Sequence, residues 1–288
     1  MRSLILILAV VAGMLINQAA ELSFLIKWLL AGMLFFSFLN LKVSVKEIGM
    51  KHLSIAIGNV IFATVVFYAL KNFNIWLALS SSIIALAPTA IAAPVMTSML
   101  KGDVTWVALS TIVTNLLVSA LLPFYIPYIY GIDNHVNPMV LIQSLFIIFL
   151  IPFALAMFIQ NHSKKALAFF SRFKKATFIL FVSNIFLASA KSAHYILYET
   201  KEDNEIIILI TIFAAIMCLL NFGIGFTLGG KNKKLEASLA FGQKNTMFSV
   251  WIALTYINPL VSLAPMSYVL FQNTFLTFLM YKREKKQS

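Results

Sequence analysis

Apolar runs of about twenty residues, divided by short polar loops, fill most of this chain. A transmembrane helix needs about 20 mostly apolar residues. The pattern predicts ten spans, at roughly 3–19, 22–41, 52–70, 75–99, 104–130, 138–160, 176–197, 205–228, 237–256 and 260–281. Two of them are interrupted. The fourth contains IALAPTAIAAPVMTSMLKGD, residues 84–103, with Pro88 and Pro94 inside it. Proline removes a backbone donor and clashes with the preceding turn, so it kinks or breaks a helix. The ninth contains SLAFGQKNTMFSVWIAL, residues 238–254, where Gly242 and the polar triplet Gln243, Lys244, Asn245 break the apolar run. A lysine in the interior of a span, with no carboxylate near it in the sequence, needs an explanation.

Composition confirms the class. Of 288 residues, 61% are hydrophobic and 11% charged, against about 25% charged in a soluble protein. Too little polar surface exists for water, so the expected partner is a lipid bilayer, which the 26 phenylalanines also suit. The single cysteine, Cys218, excludes a disulfide framework and a cysteine-based metal site. His52, His135, His162 and His194 show no ligand spacing, so no metal is expected.

A net charge of +12 suggests nucleic acid until the charges are placed. Arg2, Lys42, Lys46, Lys51, Lys101, Lys164, Lys165, Arg172, Lys174, Lys175, Lys231, Lys233, Lys234, Lys282, Arg283, Lys285 and Lys286 all fall on one side of the ten-span topology, and only Lys71 and Lys201 on the other. Positive loops stay cytoplasmic. A multi-pass protein of the cell (inner) membrane is expected, with both termini cytoplasmic and Glu199, Glu202, Asp203 and Glu205 outside. No nucleic-acid role is expected. The start, MRSLILILAVVAGMLINQAAE, also has the form of a secretory signal; its cleavage would leave nine spans, and a retained first helix is the expectation.

Ten spans divide into two halves of five, 1–133 and 134–288, within a single polytopic domain. Odd-numbered halves insert in opposite orientations, the arithmetic of an inverted repeat, and transporters of that plan bind near mid-membrane between interrupted helices. Aligning Ala93-Pro94-Val95-Met96 with Lys244-Asn245-Thr246-Met247 puts the two interruptions at similar depth. Unwound backbone in a membrane needs polar partners or water, so facing breaks would form a polar cavity. The alternative is a pair of structural kinks with no ligand.

The residues around these breaks resemble the bile acid:sodium symporter (BASS) family. PTAIAAPVMTSMLKGDVTWVALSTIVTNLL (88–117) resembles its fourth and fifth helices, with their Pro-Gly-Gly-Thr-Ala-Ser-Asn-Val-Met-Thr run and basic-Gly-Asn/Asp turn. LAFGQKNTMFSVWIAL (239–254) resembles its ninth helix, SYVLFQNTF (267–275) its tenth and WLLAGMLFFSFLNLKV (28–43) its second. The resemblance implies an all-α fold of ten transmembrane helices as two inverted five-helix repeats, with panel and core domains and crossing, broken helices 4 and 9.

The departures from the family matter as much. By position, the family's sodium-ligating Ser-Asn pair becomes Ala93 and Pro94, and a fifth-helix serine becomes Val107, while Thr111 survives. The ninth-helix glutamate becomes Ala240 and the glutamine Lys244; Asn245 is kept. A hard cation needs several oxygen ligands, and most are gone. The resemblance therefore implies degraded sodium sites, with Lys244 as a tethered ammonium in place of the bound ion. Two mechanisms stay open: a permanent countercharge for an anionic substrate, giving uniport or exchange, or a lysine that loses and regains its proton in the cycle, since desolvation disfavours charge. The competing account is snorkelling. Lys244 would lie about 10 Å deep at about 1.5 Å per residue, within reach of the cytoplasmic edge for a long side chain. Lys27 and Lys191, near helix ends, are expected to snorkel.

Further candidate substrate contacts are Gln272 and Asn273 in the tenth span and Thr111 and Asn115 in the fifth, where Thr114 shares their face. Each could equally bond between helices. Asn184 and Asn221 are expected to be structural, and GIGFTLGGK (223–231) lacks the phosphate-loop pattern, so close helix packing is its expected role. The expected function is secondary transport of a small organic anion by alternating access, without the family's sodium coupling, by a monomer or homodimer. The alternatives are a sodium-coupled symporter of bile-acid-like or other organic acids, an auxin-efflux-type carrier, or a membrane sensor or structural protein. Arsenite permease resembles the chain less, because Thr89 stands where it uses a cysteine. An enzyme would need a nucleophile–base pair or a metal cluster, and no such pair or nucleotide motif is present in the sequence.

Overall fold

The computed structural model describes residues 2–39, 48–131, 138–173, 176–200, 202 and 204–285. Lys42, Lys46, His135, Lys174, Lys175, Lys201, Asp203, Lys286 and the 133/134 boundary between the expected halves lie outside these residues. Among those described, the regular elements are helical: α1 (Arg2–Leu15), α2 (Ile26–Phe38), α3 (Met50–Leu70), α4 (Ile75–Leu86), α5 (Ala93–Met99), α6 (Val104–Tyr130), α7 (Pro138–Leu145), α8 (Ile151–His162), α9 (Lys164–Phe170), α10 (Ala176–His194), α11 (Asn204–Leu228), α12 (Lys234–Gly242), α13 (Thr246–Ile252) and α14 (Leu263–Glu284). Single π turns continue α7 into α8, lengthen α10 to Glu199 and lengthen α13 to Ile257.

Six of these helical runs are long and apolar enough to cross a bilayer: Asn17–Phe38, Met50–Leu70, Val104–Tyr130, Met139–His162, Ala176–Glu199 and Asn204–Leu228. Ile5–Leu15, Ile75–Leu86 and Thr246–Ile257 are apolar but shorter. The chain is therefore an α-helical, multi-pass membrane protein. Length and apolarity alone do not reach the expected ten spans, for local reasons. The first α-helix stops at Leu15, where Asn17 and Gln18 follow, and a 3-10 stretch, Asn17–Leu25, leads straight into α2. The α14 helix has 22 residues, but Gln272 and Asn273 dilute its apolar run. The fourth and ninth spans are broken, as their prolines and polar triplet suggest.

The place of the first break differs from the expected alignment. Pro88 ends α4: Ala87 is turned to φ −49°, ψ 133°, the extended conformation forced on a residue before proline. Pro94 breaks nothing. It lies in the first turn of α5, where a missing N–H is harmless because that donor has no helical partner. The interruption therefore covers residues 87–92, and Thr89, rather than Ala93 as the alignment has it, is the residue opposite Lys244.

The chain forms two compact units, each drawing on both sides of residue 133. One gathers the described residues of Met1–Lys42, Ser119–Lys201 and Val250–Ser262. Within it α10 packs on α1 and α2, and α2 on α8. Phe38 sits edge-on to Phe149 and Phe153, and Gly13 lets α1 approach α10 so closely that a Cβ would lie 2.3 Å from the Phe186 carbonyl oxygen.

The other unit gathers the described residues of Val43–Val118, Glu202–Ser249 and Leu263–Ser288. Here α11 packs on α12, α4 and α14, α3 on α4, and α12 on α5. Glycines set the α11–α12 approach: a Cβ on Gly225 would lie 2.4 Å from the Ala237 oxygen, and one on Gly229 2.2 Å from the Lys233 oxygen. This is the close packing expected of GIGFTLGGK at those two positions; Gly223 faces open space. Both helix breaks lie in this unit.

Candidate functional site

Two unwound strands inside a membrane protein must satisfy their backbone groups without bulk water. Here they satisfy each other. Ala90 N donates to Gln243 O at 2.7 Å and Asn245 N to Pro88 O at 2.8 Å, which makes an antiparallel bridge between Thr89 and Lys244. Side chains from α6 and α14 complete the set. Thr89 N donates to Thr114 Oγ1 at 3.1 Å, and Asn115 Nδ2 donates to Thr89 O at 2.9 Å and to Thr111 O at 2.8 Å. Lys244 N donates to Gln272 Oε1 at 3.1 Å. Tyr268 OH donates to Gly242 O at 2.6 Å, and Thr89 Oγ1 donates to Ala240 O at 2.5 Å.

The Lys244 side chain is 1% exposed, so its ammonium does not reach a surface. Nζ donates to Asn59 Oδ1 at 2.8 Å and to Ala85 O at 2.9 Å, and it lies 4.6 Å from the centroid of the Phe241 ring. Ala85 O belongs to the last turn of α4. The last four carbonyls of a helix lack intrahelical partners and carry the negative end of its dipole. Breaking α4 at Pro88 thus exposes carbonyls to a cation, and Lys244 supplies one. Ser249 Oγ donates to Ile83 O in the same turn at 3.3 Å. Among the described residues no ion pair involves Lys244; the groups against its ammonium are two carbonyl oxygens and an aromatic face.

The structure brings together Gly242, Gln243, Lys244, Asn245, Pro88, Asn115, Thr111 and Gln272. Asn245 Nδ2 approaches Asn115 Oδ1 at 3.4 Å, and Thr111 Oγ1 donates to Val107 O in its own helix at 2.9 Å. Gln243 is 3% exposed, and its Oε1 has no hydrogen-bond partner among the described residues. Gly242 must be glycine, because a Cβ would lie 2.4 Å from the Phe222 ring. Asn273 is not drawn into the crossing by a bond; its Nδ2 donates to Val269 O in its own helix at 2.8 Å. Asn184 and Asn221 likewise bond Leu180 O and Met217 O one turn back. Lys191 lies 3.7 Å from Glu199, and Lys27 over the ring of Trp28.

The participants that escape a reading of the sequence include Asn59, Tyr268, Phe241, Ser249 and the Ala85 carbonyl. Asn59 had a legible signal, an amide alone in the apolar interior of α3. Tyr268 had a weaker one, and a carbonyl has none. No protein-family model matches the chain, and the search of curated proteins finds no relative. The resemblance to the BASS family accordingly stands on the quoted motifs alone.

Proposed function

We propose that this protein is a secondary transporter of a small organic anion, working by alternating access and independent of sodium in the sense of the BASS family. The observation that carries this reading is a buried ammonium at the crossing of two broken helices, held by a helix C-terminus and an amide. A transporter built on a mobile cation must recruit it in each cycle. A lysine fixed in that place makes the positive charge permanent. It neutralises helix-end carbonyls and adds a net positive charge to a region where Gln243, Asn245, Asn115 and Gln272 supply polar atoms. An anion is the species such a region favours.

This reading includes the finer architecture that the sequence suggests: ten spans as two inverted five-helix repeats, with panel and core domains, and both termini cytoplasmic in the inner membrane. It takes the chain to be a transporter and not an enzyme, sensor or scaffold. Uptake into proteoliposomes tests it, with candidate organic anions, with and without sodium and a pH gradient, for wild type, Lys244→Gln and Lys244→Met. Sodium-independent uptake that falls at least tenfold in both variants is expected. A strict sodium requirement sinks the coupling part. Normal transport by both variants removes Lys244 from the mechanism.

A further inference from the structure

An ammonium has three N–H donors and no acceptor, and an amide NH2 has two donors. Around Lys244 oxygen atoms do not meet all of these donors. Among the described residues Nζ has two oxygen acceptors, Asn59 Oδ1 and Ala85 O, and its remaining side lies against the Phe241 ring, 4.6 Å from the centroid, a weaker acceptor than an oxygen. Asn59 is 0% exposed, and its Nδ2 has no hydrogen-bond partner among the described residues. The orientation of the Asn59 amide follows from the lysine: its oxygen must face Nζ, since turning it over would set two donors against each other. The NH2 group is therefore fixed on the same planar amide as the oxygen that binds the ammonium. One buried place thus offers a positive charge, an N–H on it that meets no oxygen among the described residues, and an adjacent unpartnered NH2.

Buried donors without acceptors are rare in native proteins, and each calls for a reason. A water would meet the hydrogen bonds but not the charge. An anion with two acceptor oxygens on one carbon meets both, since one oxygen can face Nζ and the other Nδ2. We infer that Lys244 and Asn59 form a binding site for a single carboxylate, and that this protein is built for monocarboxylates. The inference rests on the anion-transporter reading and narrows it. Charge sets the narrower class. Lys244 is the buried cation here, and no carboxylate partners it among the described residues. One negative charge balances the site. A dianion would carry an uncompensated charge out of water, which is strongly unfavourable in a protein interior.

Asn59 also supplies the decisive substitution. Asn59→Asp keeps the side-chain volume and still accepts from Nζ. It converts the free NH2 to a negative oxygen, so the protein would carry its own carboxylate where the ligand's belongs. A residue that only orients Lys244 would tolerate this change.

The test uses the purified full chain in detergent, following its melting temperature against acetate, butyrate and benzoate, the dicarboxylates succinate and phthalate, chloride, and uncharged butyramide. The same compounds then compete for uptake in proteoliposomes. Monocarboxylates are expected to protect wild type, with dicarboxylates and chloride at least tenfold weaker and butyramide without effect. Asn59→Asp should fold, with a melting temperature at or above that of wild type, and lose monocarboxylate protection. Asn59→Ala, which keeps Lys244, should weaken it at least tenfold and serves as the second variant should the first not fold. Equal protection by dicarboxylates or chloride, or unchanged monocarboxylate binding in either variant, overturns the site and leaves organic-anion transport standing. If no organic anion protects or enters, the transporter reading fails with it.

Discussion

A charged side chain at the centre of a membrane helix costs about 2.5–3.5 kcal/mol on insertion scales, so what surrounds Lys244 decides whether it can be there. The answer is a carbonyl freed by Pro88, an amide on α3 and the face of Phe241. Its neighbours at the crossing serve the backbone. Asn115 joins the Thr89 and Thr111 carbonyls, and Tyr268 ties down Gly242 O. A buried polar group left without its partner costs about 1–3 kcal/mol. Asn115→Ala should therefore destabilise the protein by about that amount, and Tyr268→Phe by about 1–2 kcal/mol by the same argument, both read as lower melting temperatures in detergent. Asn273→Ala, whose amide bonds only its own helix, should change stability by less than about 0.5 kcal/mol.

Elements show which sequence signals carry structure. Pro88 and Pro94 look equivalent in the sequence, yet one ends α4 and the other opens α5. Pro94→Ala should accordingly stay within about 1 kcal/mol of wild type. Gly242→Ala should cost about 1–3 kcal/mol through overpacking against Phe222. A polar cluster joins the turn after α5 to the start of α12. Lys233 Nζ lies 2.6 Å from Asp103 Oδ2, Asp103 N donates to Glu236 Oε1 at 2.9 Å, and Trp106 N donates to Asp103 Oδ1 at 3.0 Å, capping α6. The hydrogen bond from Lys233, then that from the Trp106 amide, hold the Asp103 carboxyl below its ordinary value. A depressed carboxyl stabilises the fold above its unfolded value near pH 4, and that contribution disappears as pH falls through the lower folded value. The pair is partly exposed, so the effect is at most about 1 kcal/mol. Melting temperature should drop on acidification below about pH 4, and Asp103→Asn should flatten that part of the profile.

At the scale of the molecule, the positive-inside rule makes a prediction independent of transport. Cys218 is 2% exposed and should resist a membrane-impermeant maleimide in intact cells. Cysteines placed at two exposed positions should separate by side. Glu199→Cys should react from outside, and Lys231→Cys only after the membrane is opened. Labelling of both from the same side would reverse the topology on which the inner placement of the termini rests.

Much of this was legible in the chain itself. Twenty-residue apolar runs dictate membrane helices, because no other structure lets most of these residues leave water. Pro88 and the Gly242–Asn245 stretch mark the breaks, because neither a missing N–H nor a polar triplet continues an apolar helix. Some assignments at the crossing were also within reach: Thr111, Thr114 and Asn115 share one helical face by spacing alone. The sequence could not say that Thr89, in the break between α4 and α5, would pair with Lys244. It could not say that a lysine in one half of the chain would close the end of a helix in the other. Those facts depend on which segments meet. A local sequence records propensity and period, but the partners of the buried Lys244 ammonium lie more than a hundred residues away, those of the unwound carbonyls lie on other elements, and only the packed structure selects them.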